Sequence, residues 1–240
     1  MTPFRAEVEE SFRGLRDRIC ARLEELDGGK FKRARWERPG GGGGEMSELR
    51  GTVFEKGGCN FSAVSGDRYP AAIDASTSTS TSTDREDDAR LGIRPPRPEE
   101  LAGKPFDEDT RHFHRVLQKV CNAHGPELYA RFSRWAKDYF YIAHRQSERG
   151  VGGIFFDYLR GERFWSFARD VGEAFLPAYA PIVERRRGAR FTDEDRAQQL
   201  RWRGRYVEFN LIYDRGTLFG LRTGGNVDAI FMSLPPLVAW

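Results

Sequence analysis

The sequence predicts an α+β fold, and three observations carry that prediction. Apolar residues recur at spacings of three and four near the N-terminus, as on one face of an amphipathic helix. The same spacing returns after Asp107 and runs through several segments. The C-terminal stretch reads instead as short β-rich runs parted by turns, and helices followed by a separate antiparallel meander make an α+β pattern.

Val8, Phe12, Leu15, Ile19, Leu23 and Leu26 form the first stripe, a core-facing helix that should stop at Asp27-Gly28-Gly29. Five glycines, Gly40 to Gly44, follow Pro39 and precede a predicted strand, Thr52 to Glu55. The run reads as a loop, either a plain linker or a turn whose backbone N–H groups approach an anion. No Gly-Lys-Ser/Thr follows it, so it is no P-loop. Ser76 to Thr83 alternates serine and threonine, an acidic run follows, and Pro95, Pro96 and Pro98 come next. Such a stretch has no apolar face to offset ordering entropy. Residues 71–100 are therefore expected to be a low-complexity, disordered bridge within one domain spanning residues 1–240.

Phe113, Val116, Leu117 and Val120 outline a second helix, which His124-Gly125-Pro126 should break. Leu128, Phe132, Trp135, Tyr139 and Ile142 outline a third, and Gly152 to Asp157 reads as a short buried strand. A further helix is predicted from about Glu162 to Phe175, limited by Pro177 and Pro181. Thr192-Asp193-Glu194-Asp195 suits the start of another. Tyr206 to Tyr213, Leu218 to Arg222 and Val227 to Leu234 are the predicted strands of the meander, with turns at 214–217 and 223–226.

Lys and Arg number 39 against 36 Asp and Glu, a net charge of only +3, which makes a weak case for nucleic acid. Cys20, Cys59 and Cys121 are odd in number and far apart, without C-x-x-C spacing, so neither a disulfide framework nor a zinc finger is indicated and a reducing compartment fits. The N-terminus is acidic and lacks the apolar run of a signal peptide and the acid-poor character of a transit peptide. No segment reaches the apolar length of a bilayer span. The expectation is a soluble cytoplasmic chain, with plastid or mitochondrial placement open if a further segment precedes Met1.

Candidate chemistry falls on three groups of residues. The four histidines include His112-x-His114 and His144, which can be read as ligands of a shared metal or as satisfied structural histidines, since no carboxylate spacing completes a set of three or four. Arg145, Arg149, Arg203, Arg205 and Arg215 lie beside glycines or turns, where a guanidinium fork can meet a carboxylate, and suit a multiply anionic small substrate or a solvated surface. Asp214-Arg215 falls at a predicted turn between strands. An aspartate held ionised beside arginine can accept hydrogen bonds from N–H donors in a cleft; the plain alternative is an Asp-containing turn.

Several stretches together resemble the oxygen-dependent coproporphyrinogen III oxidase family. They are the glycine run, Val53-Phe-Glu-Lys-Gly-Gly-Cys-Asn-Phe-Ser62, His112-Phe-His114, Asp138 to Arg145 and Glu148 to Asp157. The longest is Arg203-Gly-Arg-Tyr-Val-Glu-Phe-Asn-Leu-Ile-Tyr-Asp-Arg-Gly-Thr-Leu-Phe-Gly-Leu221, followed by Thr223-Gly-Gly225 and Met232-Ser-Leu-Pro-Pro236. The resemblance implies oxidative decarboxylation of two propionates of coproporphyrinogen III to vinyl groups in haem and chlorophyll biosynthesis. The products are protoporphyrinogen IX, carbon dioxide and hydrogen peroxide; molecular oxygen is co-substrate and no organic cofactor is needed. It also implies a large antiparallel sheet covered by helices on both faces, and a homodimer joined through the C-terminal strands from about Tyr206.

Carried over by resemblance, Asp214 is the base or anchor for pyrrole N–H groups and Arg215 is its partner. Gly224, Gly225 and Asn226 form a substrate-contacting turn, where bacterial members usually have arginine in place of Asn226. His114 and His144 match positions assigned as ligands of a divalent metal. The family's segment between about Gly66 and His112 is missing here: its substrate-contacting serine, two histidines and a Gly-Gly-Gly-x-Asp-Leu-Thr-Pro motif do not occur in residues 67–111. The sheet is thus expected to be incomplete. Two readings stand, a coproporphyrinogen oxidase and a non-catalytic tetrapyrrole-binding or dimerising remnant of the family.

Overall fold

The computed structural model describes residues 3–38, 41–64, 106–159 and 161–240. The expected low-complexity bridge at 71–100 lies outside the described residues. The chain divides into two compact units, one drawn from Met1–Thr81 and Arg190–Trp240 and the other from Ser82–Ala189.

The first unit begins with α1, Pro3–Asp27, as the apolar stripe predicts. Its buried face carries Cys20, Leu23 and Leu26, while Phe12 stays exposed. Four strands follow: β1 Lys32–Glu37, β2 Gly42–Leu49, β3 Gly57–Gly58 and β4 Phe61–Val64. They form a small antiparallel sheet with β2 at its centre, β1 on one side and both β3 and β4 on the other. Helices and an antiparallel sheet confirm the α+β class, but the sheet sits near the N-terminus.

The glycine run is a correction to the predicted loop, because Gly42, Gly43 and Gly44 lie inside β2. The physical reason is Trp36, the β1 partner of Gly44. Its indole lies across that glycine, and a Cβ at Gly44 would come within 2.7 Å of the ring. The missing side chain thus lets an aromatic ring cover the strand. The predicted strand Thr52–Glu55 is also corrected to a loop: its amides bond a carboxylate in place of a ladder. Asp27 accepts hydrogen bonds from the N–H groups of Val53 at 2.9 Å and Phe54 at 2.8 Å, with longer ones from Gly29 and Thr52.

α1 meets the sheet through a buried ion-pair network. Arg16 is 6% exposed and Glu45 on β2 is 5% exposed. The Arg16 Nη1 atom lies 2.8 Å from Glu45, and Arg35 Nε donates to the same carboxylate at 2.7 Å. Hydrogen bonding to Arg35, against the effect of burial and with the charge of Arg16, holds the Glu45 carboxyl below its ordinary range.

The predicted C-terminal meander is the largest correction, because the segment is helical. In the first unit α6, Asp193–Ile212, takes in the predicted strand from Tyr206, α7 is Arg215–Arg222 and α8 is Val227–Ile230, followed by a 3-10 turn at Phe231–Ser233. The start of α6 is as predicted: Thr192 Oγ1 accepts from the Asp195 N–H at 3.2 Å, and the Asp195 carboxylate accepts from the Thr192 N–H at 2.9 Å. This reciprocal cap opens a helix that then propagates through the β-rich residues, burying Gly204, Glu208 and Phe209. The residues expected to provide strands for a dimer contact are therefore helical.

The second unit contains α2 Asp107–His124, α3 Leu128–Tyr139, α4 Glu162–Glu173 and α5 Phe175–Arg186. Its core gathers Leu117, Cys121, Leu128, Tyr129, Phe132 and Phe167. Phe132 is fully buried, with the Phe156 ring at 5.3 Å and the Phe167 ring at 5.4 Å. Gly152 to Asp157 is not the predicted strand but an irregular segment, pinned by the Phe155 N–H to the Phe132 carbonyl at 3.0 Å. α5 continues past both prolines expected to limit the preceding helix. Pro177 stands in its first turn, where amides have no intrahelical partner. Pro181 has no N–H to offer the Pro177 carbonyl, and His112 Nε2 donates to that carbonyl at 3.0 Å.

Asp27 has a testable signature. Burial raises its carboxyl pKa, but the amides of Phe54, Val53, Gly29 and Thr52 outweigh burial and hold it below the ordinary value. Its contribution to stability is therefore complete above the unfolded pKa, near 4, and is lost as pH falls through the lower folded value. Asp27→Ala should lower the free energy of urea unfolding by about 1–3 kcal/mol at neutral pH. The gap from wild type should close steadily below about pH 4.

Candidate functional site

Asp214 and Arg215 do not lie in a turn between strands. Asp214 is the N-cap of α7, with extended backbone dihedrals of −70° and 113°. Its Oδ2 accepts from the Thr217 N–H at 2.7 Å and from the Thr217 hydroxyl at 2.8 Å. The bond arises because the opening amides of a helix have no partner within it, and a carboxylate two or three residues upstream reaches them. Arg215 is the half-buried first residue of the same helix.

The expected substrate turn closes the other end of α7. Gly224 has φ 68°, the left-handed conformation that glycine adopts without strain. Its N–H reaches the Leu221 carbonyl at 3.3 Å, while the Gly225 N–H reaches the Gly220 carbonyl at 2.8 Å. That pair of bonds is the Schellman arrangement. Asn226 then caps α8, accepting from the Ala229 N–H at 3.1 Å. Thus Asp214, Arg215, Gly224, Gly225 and Asn226 are gathered on one short helix and its two ends, through local capping.

The Val53–Ser62 stretch is bound to this region by residues that sequence reasoning did not single out. Asn60 Nδ2 donates to the Ala229 carbonyl at 3.0 Å, and Lys56 Nζ donates to the Leu234 carbonyl at 3.0 Å. Their partners are backbone oxygens far along the chain, which no local pattern could announce.

A cleft of about 410 Å³, counting its open mouth, lies within the second unit. Lys137 and Phe140 come from α3 and its end, and Glu148, Arg149 and Gly152 from the following loop. The Arg149 guanidinium lies 4.0 Å over the Phe140 ring, and Lys137 Nζ is 3.5 Å from Glu148. Beside them Tyr139 stacks on Phe155 at 4.2 Å, with the rings within 13° of parallel. Two cations, one anion and the Phe140 ring suit a small anionic ligand with an apolar face. Arg149 was legible in the sequence; Lys137 and Glu148 become part of a site only when helix and loop fold together.

Of the other candidate arginines, Arg203 has structural contacts. Arg203 lies 4.2 Å over the Tyr206 ring and donates to the Ser233 carbonyl at 3.3 Å. Near the end of α5, Arg185 and Arg186 bond Asp109, and Arg186 also bonds Glu108. These bonds tie α2 to α5.

His114 and His144 belong to the second unit and differ in environment. His114 is buried in α2, where its Nε2 donates to the Val151 carbonyl at 2.8 Å and its Nδ1 accepts from the Tyr129 hydroxyl at 2.9 Å. His144 is exposed in the 3-10 turn Ala143–Arg145. Both His114 nitrogens are thus occupied, and a metal there would have to displace one of these bonds. Among the described residues no group of three or more His, Cys, Asp or Glu is placed to hold a metal ion. The residues present do not fit the divalent metal that the resemblance implies.

The geometry defines an α+β protein whose second unit holds a cleft lined by Lys137, Arg149, Glu148 and the Phe140 ring. Among the described residues, no helix is long and apolar enough to cross a membrane. A family model described as coproporphyrinogen III oxidase matches residues 7–93 and 103–240, and the chain belongs to that family.

His114 should remain neutral below the ordinary histidine range, because burial, with the charge of Lys137, lowers its pKa by more than the Val151 bond raises it. The unfolded chain then binds a proton that the folded chain does not, so stability present above about pH 6.5 declines as pH falls below it. Nitrogen-15 NMR of the imidazole should show the Nε2–H tautomer at neutral pH and a titration midpoint below that of the unfolded chain's histidines.

Proposed function

We propose that this chain carries out the oxygen-dependent oxidative decarboxylation of coproporphyrinogen III to protoporphyrinogen IX, as a homodimer. The observation that carries the reading is the family match over residues 7–93 and 103–240, which reaches into both units. Each propionate loses carbon dioxide and two electrons, and one dioxygen takes those electrons with two protons to leave as hydrogen peroxide. Asp214 receives the pyrrole N–H in this reading, as anchor or base, with Arg215 beside it in sequence as its partner. A deprotonated pyrrole is electron-rich enough to react with dioxygen directly, so no step passes through a metal or an organic cofactor.

A second reading has a specific observation in its favour. The Asp214 carboxylate already accepts two hydrogen bonds from Thr217, and the family's serine and histidines are missing from residues 67–111. A chain of this kind would bind the tetrapyrrole without converting it.

Oxygen uptake and protoporphyrin fluorescence, followed together on purified chain given coproporphyrinogen III under air, separate the two. Product with matching oxygen consumption supports the oxidase. Binding without uptake by a folded sample supports the remnant. If the chain is an oxidase, Asp214→Asn should reduce kcat by about 100–10,000-fold. Helical circular dichroism and the urea midpoint should hold, since asparagine caps a helix as well as aspartate.

A further inference from the structure

One side-chain amide joins the sheet of the first unit to the segment that carries the expected substrate turn. The β2 register sets Glu48 opposite Gly58 and Glu45 opposite Phe61, so Ser47 faces Cys59. The Cys59 N–H donates to the Ser47 carbonyl at 2.9 Å. In an unbroken antiparallel ladder the Ser47 N–H would return that bond to Cys59. It donates instead to Asn60 Oδ1 at 3.2 Å, and because Ser47 is fully buried, the side chain stands in for a backbone acceptor that water cannot replace. At its other end the same amide donates from Nδ2 to the Ala229 carbonyl of α8 at 3.0 Å. A flipped amide would set donor against donor and oxygen against oxygen, so the two contacts together fix its orientation.

Ala229 leads directly to the turn. Its N–H donates to Asn226 Oδ1 at 3.1 Å, and the Ile230 N–H donates to the Asn226 carbonyl at 3.0 Å. The Ile230 side chain packs back onto the glycines, where a Cβ on Gly225 would come within 3.0 Å of it. A helix as short as α8 makes too few bonds of its own to hold a position in water, so its place is set by outside partners. Asn60 is one of them. Arg38, donating from Nη2 to the Thr223 carbonyl at 3.3 Å, steadies the other side of the turn.

We propose that Asn60 is a positioning residue for substrate binding, which carries the register of β2 through Ala229 and Asn226 to the turn Gly224-Gly225-Asn226 without itself touching the substrate. The proposal rests on the oxidase reading above, with that turn in contact with the tetrapyrrole. The two roles of the amide are separable. A carboxylate at this position would still accept from the Ser47 N–H, so the ladder alone does not call for asparagine; only the amide also supplies the donor that α8 receives. A carboxylate oxygen facing the Ala229 carbonyl would repel it and release that end of α8. Asp214, at the far end of α7, is held by Thr217 within its own helix and would keep its place.

The test compares the full wild-type chain with Asn60→Asp. The variant should keep the wild-type circular dichroism spectrum, and its KM for coproporphyrinogen III should rise about tenfold while kcat changes by less than about threefold. Kd for coproporphyrin III, read by fluorescence titration, should rise by a similar factor. A merely structural role would lower kcat with the active fraction and leave KM and Kd where they are. Asn60→Ala, which also deprives the buried Ser47 N–H of its acceptor, should show the same rise in KM together with a lower Tm. Hydrogen exchange needs no ligand: the amides of Ala229 and Ile230 should exchange faster in Asn60→Asp, with the Ser47 amide still slow. A wild type that neither turns over nor binds would overturn the oxidase reading and with it the substrate role, and faster exchange at Ala229 would then show that the link itself stands. A folded Asn60→Asp with unchanged KM and Kd, or with unchanged exchange at Ala229, would overturn the role of Asn60 alone.

Discussion

The opening amides and closing carbonyls of a helix have no partner inside it, and burying such a group unpaired costs on the order of 1–3 kcal/mol. That requirement organises much of the first unit. Thr192 and Asp195 meet it for α6, Asp214 for α7, Asn226 for α8, and Gly224 with Gly225 for the end of α7. Asp27 meets a similar need for a loop, taking the amides that would otherwise call for a strand partner. The side chains best suited to proton chemistry are the same ones that hold the backbone in place. Asp214 therefore sits in a well-defined position whichever role it has toward a ligand.

Buried charge is handled by the same economy of partners. Glu45 and Arg16 are both buried, and each leaves water only because the other is there, with Arg35 and Arg33 completing the network. Removing one member of such a pair leaves an uncompensated charge, which typically costs about 3–5 kcal/mol. Asp109 plays the corresponding part in the second unit, where it draws α5 onto α2 through Arg185 and Arg186. Arg16, Arg185 and Arg186 thus act as struts.

The cleft beside Arg149 follows a different logic. Its cation stands over an aromatic face, a geometry that leaves the guanidinium plane oriented while the ring excludes water on one side. The irregular chain from Gly152 to Ile154 also lines it, with α3 supplying Ala136 and Lys137. A rigid helix and a packed aromatic cluster carry a loop-borne charge, the usual division of labour between scaffold and site.

The family, the α+β class, the first helix, the helix start at Thr192 and the break at Gly125-Pro126 were all legible in the sequence, because each depends on a spacing or a cap that spans a few residues. The location of the sheet was not. Short apolar runs such as Tyr206–Tyr213 fit a strand or a buried helix equally well by periodicity, and the cap upstream at Thr192 decides for helix. Glycines at 42–44 read as a loop until Trp36 is placed across them. Asn60 meeting the Ala229 carbonyl, His112 meeting the carbonyl left open by Pro181, and Lys137 meeting Glu148 join residues distant in the chain. The sequence by itself determined the identities and the local caps. Only the tertiary structure decided which of those groups meet, because a contact between distant residues is set by how whole elements pack and leaves no local periodic trace.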